Sequence, residues 1–226
     1  MIYQLGSSFD FPPAAKANKD GLLAIGGDLH PERILAAYRK GIFPWFEEGQ
    51  PFLWWSPNPR MVLIPDNVLI SKSMRKILRD NVFKIRFDTS FTKVMEACAK
   101  TDRIGQDGTW ITSDMIQAYS ALHEMGYAHS VEAYNTRNEL VGGLYGLAIG
   151  KIFFGESMFH LESNASKAAF INLTNFLQKK GFQLIDAQQD TDHLRSLGAE
   201  LIPRSKFLRM VEEYVNLAFT VGKWAT

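Results

Sequence analysis

Three polar residues stand at the ends of apolar runs in the second half of the chain. Glu156 follows the run Lys151 to Phe154, and Asp186 and Gln188 follow the run Phe182 to Ile185. A carboxylate can bind a cation or accept a proton, and a carboxamide can orient a substrate through hydrogen bonds. Any one of these residues alone could instead cap a helix or hold a turn. Together they favour a binding or catalytic site.

The two apolar runs are predicted to be strands joined by a helix. Between them, the polar break at residues 162–164 is typical of a helix start, and Gly181 is typical of a helix end. A strand, a crossover helix and a second strand form a βαβ unit with parallel strands. Both acids would then lie at carboxyl ends of strands, where open α/β sheets bind ligands. Asp186 and Gln188 would face the same side if their strand continues that far.

The composition is that of a globular protein without a metal centre. The chain has 226 residues, which fits one large domain or two small ones, and 46% are apolar and 22% charged. The single cysteine, Cys98, excludes an internal disulfide, and the five histidines lack a metal-ligand spacing. We therefore expect neither a metal nor a cofactor. The N-terminus lacks the pattern of a secretory signal and no run is long enough to span a membrane, so we expect a cytoplasmic protein.

Positive charge is concentrated in residues 71–93. This segment holds seven basic and two acidic side chains, whereas the whole chain has a net charge of only +1. Such a basic stretch on an acidic remainder is typical of a nucleic-acid footprint, although a solvated helix face is the commoner cause. Six of the seven basic residues lie between positions 72 and 86: Lys72, Arg75, Lys76, Arg79, Lys84 and Arg86.

Aromatic residues are concentrated in residues 41–65, together with five prolines. The prolines exclude a helix, and the segment is too aromatic for a solvent-exposed loop. Most of these rings can fill a core, but one or two could stack on a nucleobase. A second segment, Thr101 to Thr112, is predicted to be a mobile loop that carries Trp110.

The remaining elements follow from apolar periodicity and capping residues. Residues 5–20 are expected to be irregular, and residues 21–28 to form an apolar turn followed by a Gly-Gly-Asp break. We predict helices over residues 31–40, 71–80, 91–99 and 115–125, strands over 82–88, 128–134 and 140–149, and a final helix, turn, strand and helix.

From residue 128 onward this order resembles the fold of the GCN5-related N-acetyltransferases. We therefore predict an α/β (α+β) protein with a C-terminal domain of that kind and a smaller N-terminal α+β domain. The pyrophosphate-binding signature of those enzymes is missing, since the position is occupied by Met158 to Ser163. An acyl donor other than coenzyme A is implied. Four glycines between 142 and 150 would suit close packing or the approach of a ligand.

Several segments together resemble the leucyl/phenylalanyl-tRNA–protein transferases of the bacterial N-degron pathway. They span nearly the whole chain, and WWSPNPR and GESMF are the most specific of them. The matching segments are GLLAIGGDL, YRKGIFPWF, LWWSPNPRMVL, GTWIT, LVGGLYGLAIG, FFGESMF, NASKAAF, LIDAQ and HLRSLGAELIPR.

The resemblance implies a reaction and a division of the chain. Leu or Phe, and less well Met, would move from aminoacyl-tRNA to the α-amino group of proteins that begin with Arg or Lys, which marks them for degradation. The N-terminal domain would comprise residues 1–62 and the acyltransferase-like domain residues 63–226. We expect a monomer.

The resemblance also implies roles for individual residues. The resemblance gives Gln188, assisted by Asp186, the role of drawing off the proton of the attacking amine. Because a carboxamide oxygen is a very weak base, we expect Gln188 instead to orient the amine, and Asp186 to fix Gln188 and offset the developing positive charge. The resemblance also implies that Glu156 pairs with the basic side chain of the acceptor. The aminoacyl side chain would lie against Leu144, Phe153, Met158 and Ile185. Trp45 and Trp110 would hold the terminal adenosine of the tRNA, and the basic residues from Lys72 to Arg86 its phosphate backbone.

Two other functions stay open at this point. An N-acyltransferase that uses acyl-CoA would make Trp45 and Trp110 core residues, and the missing pyrophosphate signature disfavours it. A catalytically silent RNA-binding module would leave Glu156, Asp186 and Gln188 with structural roles, which their arrangement at strand ends disfavours.

Overall fold

A computed structural model gives the fold and describes residues 2–101 and 109–224. The strands in these ranges are β1 (Tyr3–Leu5), β2 (Leu22–Gly26), β3 (Phe43–Pro44), β4 (Leu53–Trp55), β5 (Arg60–Leu63), β6 (Lys84–Phe87), β7 (Ala128–Tyr134), β8 (Leu140–Ile149), β9 (Ile152–His160), β10 (Leu184–Gln188) and β11 (Glu200–Ile202). The α-helices are α1 (Pro31–Tyr38), α2 (Lys72–Arg79), α3 (Phe91–Ala99), α4 (Ser113–Glu124), α5 (Ala165–Lys179), α6 (Asp192–Ser196) and α7 (Arg204–Tyr214). No helix in these ranges has the length and apolar character needed to cross a membrane.

The strands form two sheets. The smaller sheet has the order β1-β2-β4-β3, and the larger has the order β11-β5-β10-β9-β8-β7-β6. In the larger sheet β7, β8 and β9 form an antiparallel meander, and β9 then pairs in parallel with β10 across the α5 crossover. The predicted α/β class, the meander and the βαβ unit are confirmed.

Both strands of the βαβ unit differ in extent from the prediction. β9 continues past Glu156 because β8 pairs with it as far as His160, which lies opposite Gly142. β10 begins at Leu184 and runs through Gln188. The expectation that Glu156 lies at the carboxyl end of its strand is therefore wrong. It lies inside β9, next to the end of β10.

The segment at residues 21–28 is also more regular than predicted. Residues Leu22–Gly26 form β2, a strand in the middle of the smaller sheet, rather than an apolar turn. β2 pairs in parallel with β1 on one side and antiparallel with β4 on the other. Pairing with β1 and β4 satisfies the backbone hydrogen-bonding groups on both edges of β2, so partners distant in sequence give this segment its strand conformation.

Alternate residues of the larger sheet enter two different apolar cores. Leu144 of β8 and Phe153 of β9 belong to the core that α5 covers, whereas Tyr145 and Phe154 belong to the core that contains α3 and α4. The N-terminal sheet packs into the second of these cores. The larger sheet is therefore covered on both faces, which explains its continuous apolar runs.

Two glycines of β8 are required by close packing. A Cβ atom at Gly142 would lie 2.6 Å from the Cβ of Ala165, at the start of α5. A Cβ atom at Gly146 would clash with the carbonyl oxygen of Phe154. Of the two explanations that the sequence left open for these glycines, the structure supports close packing.

The N-terminal region and the larger sheet are connected through β5. This strand lies between β10 and β11, with both of which it pairs antiparallel. The predicted domain boundary between residues 62 and 63 falls inside β5. The division into residues 1–62 and 63–226 stays a prediction.

A tryptophan in the segment after α7, Trp224, fills the core under α5. The ring of Trp224 stacks on His129 at 3.7 Å and contacts Phe176 and Phe153 at centroid distances of 4.8 and 5.9 Å. Its backbone N–H donates to Asp88 Oδ2 at 2.6 Å.

Trp224→Ala is therefore expected to lower the free energy of unfolding by about 3–5 kcal/mol, the usual cost of deleting a buried aromatic ring. Urea denaturation measures this loss. Leu217→Ala is the matched control, because the Leu217 side chain is 42% exposed and its loss should have little effect. Equal midpoints for the two variants would contradict a packing role for Trp224.

Candidate active site

A cavity of about 460 Å³ lies where β8, β9 and β10 meet α5 and the segment that follows β3. Its volume is within the range of small-molecule sites, ~300–1,000 Å³. The residues that line it include every residue predicted for the aminoacyl side chain and for the adenosine: Leu144, Phe153, Met158, Ile185, Trp45 and Trp110.

The apolar wall of the cavity comes from three strands and one helix. Leu144 of β8 lies opposite Met158 of β9, and Ile185 of β10 lies opposite Phe153. Phe170 and Leu173 of α5 complete the wall and were not predicted from the sequence. Their spacing of three residues places both on one face of the helix. The wall therefore offers an apolar pocket for an aliphatic or aromatic side chain.

Trp45 and Trp110 reach the same cavity from two different segments. Trp45 follows β3, where its N–H donates to Leu53 O and its carbonyl oxygen accepts a 2.7 Å hydrogen bond from Trp55 Nε1. Trp110 lies shortly before α4. Both rings are half-buried, so each keeps a surface toward the cavity. Residues 102–108 of the predicted mobile loop lie outside the described residues.

Glu156 is held by three hydrogen-bond donors. The Tyr38 hydroxyl donates to Oε1 at 2.6 Å, Gln188 Nε2 donates to the same oxygen at 2.9 Å, and the Tyr119 hydroxyl donates to Oε2 at 3.3 Å. Burial and the negative charge of Glu156 raise the pKa of both tyrosines, so both keep their protons and donate. The carboxylate is fixed in position at the cavity surface.

The environment of Glu156 shifts its acidity strongly. Burial raises the pKa of Glu156 to about 7, although the hydrogen bond from Tyr38 lowers it; the charge of Asp186 raises it further, and the bonds from Gln188 and Tyr119 lower it. A carboxyl group with such a pKa changes its charge near neutral pH. Glu156 can therefore bind a cation in its ionised form and hold a proton in its neutral form.

Asp186 lies behind the cavity rather than in its wall. Both Asp186 oxygens accept hydrogen bonds from Arg60, at 2.8 Å from Nε and 2.7 Å from Nη2, and both side chains are fully buried. Oδ1 also accepts the backbone N–H of Gln188 at 3.0 Å. The charge of Asp186 is thus paired with Arg60, and Asp186 contacts Gln188 through the main chain.

The expected alternation of side chains fails between Asp186 and Gln188. The pairing of β10 with β5 is irregular at this point, and Gln188 has a φ of +60°. This left-handed conformation is uncommon for a residue with a side chain. It directs the Gln188 side chain to Glu156 while Asp186 faces Arg60. One chain of hydrogen bonds therefore runs from Arg60 through Asp186 and Gln188 to Glu156.

Sequence reasoning missed Arg60, Tyr38 and Tyr119. Arg60 begins an apolar strand, and a charged residue in a buried strand requires a charged partner, which is a usable signal. The tyrosines carry no such signal, because a buried Tyr is most often part of a core.

The basic residues lie on α2 and β6. Lys72, Arg75 and Lys84 are exposed, whereas Lys76 and Arg79 both pair with Asp80. Arg86 donates to Asn138 Oδ1 at 2.8 Å and lies over the ring of Tyr134. The segment therefore forms an exposed basic surface, which we call the α2–β6 surface.

Comparison with known proteins places the chain in one family. A family model described as leucyl/phenylalanyl-tRNA protein transferase matches residues 62–212, and a model of the N-terminal domain of the same family matches residues 27–58. A leucyl/phenylalanyl-tRNA–protein transferase from Syntrophus aciditrophicus is 53% identical over 225 residues, which cover 100% of this chain and 94% of the relative. A protein of the same name from Nitrosospira multiformis is 54% identical, with 99% and 97% covered.

Among solved structures, a GCN5-related N-acetyltransferase from Kribbella flavida aligns with a TM-score of 0.36 and 13% identity, over 75% of this chain and 59% of that one. A likeness at this level carries no information about the site. The family models and the full-length relatives, in contrast, match almost the entire chain. The chain belongs to the leucyl/phenylalanyl-tRNA–protein transferase family, whose members are aminoacyltransferases.

Proposed function

We propose that the protein transfers Leu or Phe, and less well Met, from aminoacyl-tRNA to the α-amino group of proteins that begin with Arg or Lys. The transfer would mark those proteins for degradation, and the enzyme would act as a cytoplasmic monomer. The observation that carries the proposal is a single cavity lined by an apolar wall, two tryptophans and the Glu156–Gln188 pair. These three features correspond to the aminoacyl side chain, the terminal adenosine and the acceptor amine.

The reaction needs positioning more than a strong base. An α-amino group has a pKa of about 7.7–8.0, so a sizeable fraction is neutral and nucleophilic near pH 7.5. Its nitrogen forms a bond to the acyl carbon, the ester bond to the ribose oxygen breaks, and the amine proton passes to that oxygen or to solvent. Holding amine and ester in contact can lower the barrier by roughly 7–11 kcal/mol.

In this proposal Gln188 orients the amine. Its Nε2 donates to Glu156, which directs its side-chain oxygen away from the carboxylate. A carboxamide oxygen accepts hydrogen bonds but is a very weak base. We infer that it accepts a hydrogen bond from the attacking amine, while Asp186 and Arg60 hold the backbone that carries it.

Glu156 supplies the selection for a basic acceptor. An approaching guanidinium or ammonium group favours the ionised carboxylate and lowers its pKa. The two tyrosines donate to Glu156 and can keep it in place as its charge changes. A neutral N-terminal side chain would leave the half-buried carboxylate without a counter-charge, which is unfavourable.

The general test compares labelled Leu-tRNA with acetyl-CoA as donors and peptides that begin with Arg or Ala as acceptors. Transfer of Leu to the Arg peptide alone is the expected result. Acetyl transfer in place of Leu transfer would refute the proposal and favour an acyl-CoA-dependent enzyme.

Trp110→Ala is expected to weaken the binding of both full aminoacyl-tRNA and a minimal aminoacyl-adenosine donor. Base–aromatic stacking contributes about 1–3 kcal/mol per base, which corresponds to roughly 5- to 150-fold in KM. Steady-state kinetics with the two donors measures the effect. A large fall in Tm without a selective loss of donor binding would instead make Trp110 a structural residue.

Charge reversal of Lys72, Arg75 and Lys76 is expected to raise KM for aminoacyl-tRNA and to flatten its salt dependence. Fewer counterions are released when fewer phosphates are contacted. The minimal aminoacyl-adenosine donor lacks those phosphates and should be used equally well. An equal loss with both donors would show that the α2–β6 surface acts through the fold rather than through tRNA.

A further inference from the structure

One end of the cavity carries a pair of histidines that the proposed function leaves unused. His160 is the last residue of β9, His193 lies in α6, and both line the cavity. Nε2 of His193 is buried and has no hydrogen-bond partner among the described residues. A buried polar atom without a partner in a cavity wall is costly and suggests a missing ligand.

Two basic side chains influence His193. Burial is the largest influence and lowers the pKa of His193, and the charges of Lys167 and His160 lower it further. Lys167 lies in the first turn of α5, next to Ser166, which also lines the cavity. An anion at this end would find two imidazoles in the cavity wall, and it would favour protonation of His193. Lys167 is not part of that wall and would attract the anion through its charge.

We propose that His160 and His193, assisted by the positive charge of Lys167, bind the phosphodiester group that joins the terminal adenosine of the donor to the preceding nucleotide. The inference rests on the proposed function and names a further subsite of the same cavity. This phosphodiester is the first negative charge beyond the terminal nucleoside, so it must lie close to the adenosine that Trp45 and Trp110 would hold.

The other charged groups of the two substrates do not suit this end. The α-ammonium group of the donor and the basic N-terminus of the acceptor are cations, which Lys167 and a protonated histidine would repel. The acceptor cation has Glu156 available instead. Each charged feature of the cavity thus faces a substrate group of opposite charge.

The experiment compares three donors that differ in their phosphates: aminoacyl-adenosine, aminoacyl-cytidylyl-adenosine and full aminoacyl-tRNA. His193→Ala and Lys167→Gln are each expected to lower kcat/KM about tenfold for the dinucleotide and the tRNA, because each removes a group that stabilises the charge of the phosphodiester. Both variants should use aminoacyl-adenosine as well as the native enzyme does. Lys76→Gln, on the α2–β6 surface, is the control and should affect the tRNA alone.

Binding of the unreactive dinucleotide cytidylyl-adenosine, measured against adenosine, gives a readout without turnover. The native protein should prefer the dinucleotide, and both variants should lose that preference. Equal losses with adenosine and dinucleotide donors, or no loss with either, would overturn the proposal. Since Lys167 is only half-buried, Lys167→Gln keeps the test available if His193→Ala fails to fold. A native enzyme inactive with all three donors would refute the proposed function itself.

Discussion

Asp186→Asn is expected to lower the free energy of unfolding by about 3–5 kcal/mol, because it leaves the charge of Arg60 buried without a counter-charge. Arg60 lies between the rings of Phe43 and Phe207, with its guanidinium carbon 4.6 Å from each centroid, so water cannot replace the lost partner. Its Nη1 already lacks a hydrogen-bond partner among the described residues. Urea denaturation measures the loss.

A double variant separates the charge from the shape of this pair. Replacing Arg60 and Asp186 together with leucine removes both buried charges, and such replacements are often neutral or stabilising. We expect the double variant to regain most of the stability that Asp186→Asn loses. The control is the exposed pair Arg137–Glu139, where Arg137→Gln should leave Tm unchanged. Asp186→Asn with native stability would contradict the importance of the ion pair.

We expect the double variant to regain stability but not transfer activity. Asp186 Oδ1 holds the backbone N–H of Gln188, whose φ of +60° needs support from its surroundings. Without that bond Gln188 is free to leave Glu156 and the amine that it would orient. Asp186 is therefore a positioning residue in this mechanism. The expected result is a fall in kcat with an unchanged KM for the donor. Full turnover by the double variant would exclude the positioning role of Asp186.

Elements with strong local patterns were predictable from the sequence. The α5 helix and the β7 to β9 meander have clear apolar periodicity, and their sequence order dictates the βαβ unit. The apolar wall and the two tryptophans were identified through specific segments such as GESMF and GTWIT. The structure gathers them around one cavity, although their roles stay predictions.

Features that depend on distant contacts were not predictable. Arg60 and Asp186 are 126 residues apart, and Tyr38 and Glu156 are 118 apart, so no local pattern links them. The continuation of β9 past Glu156 depends on β8, and the irregular end of β10 depends on β5. In each case tertiary pairing overrode the local pattern, and the geometry of the candidate site depends on those pairings.

Glu156→Gln is expected to lower kcat/KM for peptides that begin with Arg or Lys by about ten- to a hundredfold. The change removes a charge that pairs with the acceptor and keeps the shape of the side chain, and hydrogen bonds to charged groups contribute about 1.5–3 kcal/mol. A peptide that begins with Ala should be affected less, so the preference for basic acceptors should shrink. Equal losses for all acceptors would assign Glu156 to the reaction itself rather than to acceptor recognition.

The pH dependence gives this prediction a second test. With the pKa of Glu156 at about 7, kcat/KM of the native enzyme should rise through pH 7 as the free enzyme gains its negative charge. In Glu156→Gln the pH dependence of kcat/KM should reflect only the acceptor amine, whose pKa is about 7.7–8.0.

Stability should respond to pH in the opposite sense. The folded state raises the pKa of Glu156 above its unfolded value of about 4.3, so the native protein binds the proton more tightly than the unfolded chain. Ionisation therefore lowers the native stability as pH rises from about 4.3 to about 7, and the penalty is complete above that. Glu156→Gln has no such titration, so urea denaturation should show it gaining stability relative to the native protein between pH 5 and pH 8. A stability difference that is the same at both pH values would show that Glu156 is already ionised at pH 5, and the selection for basic acceptors would then need no change in its charge.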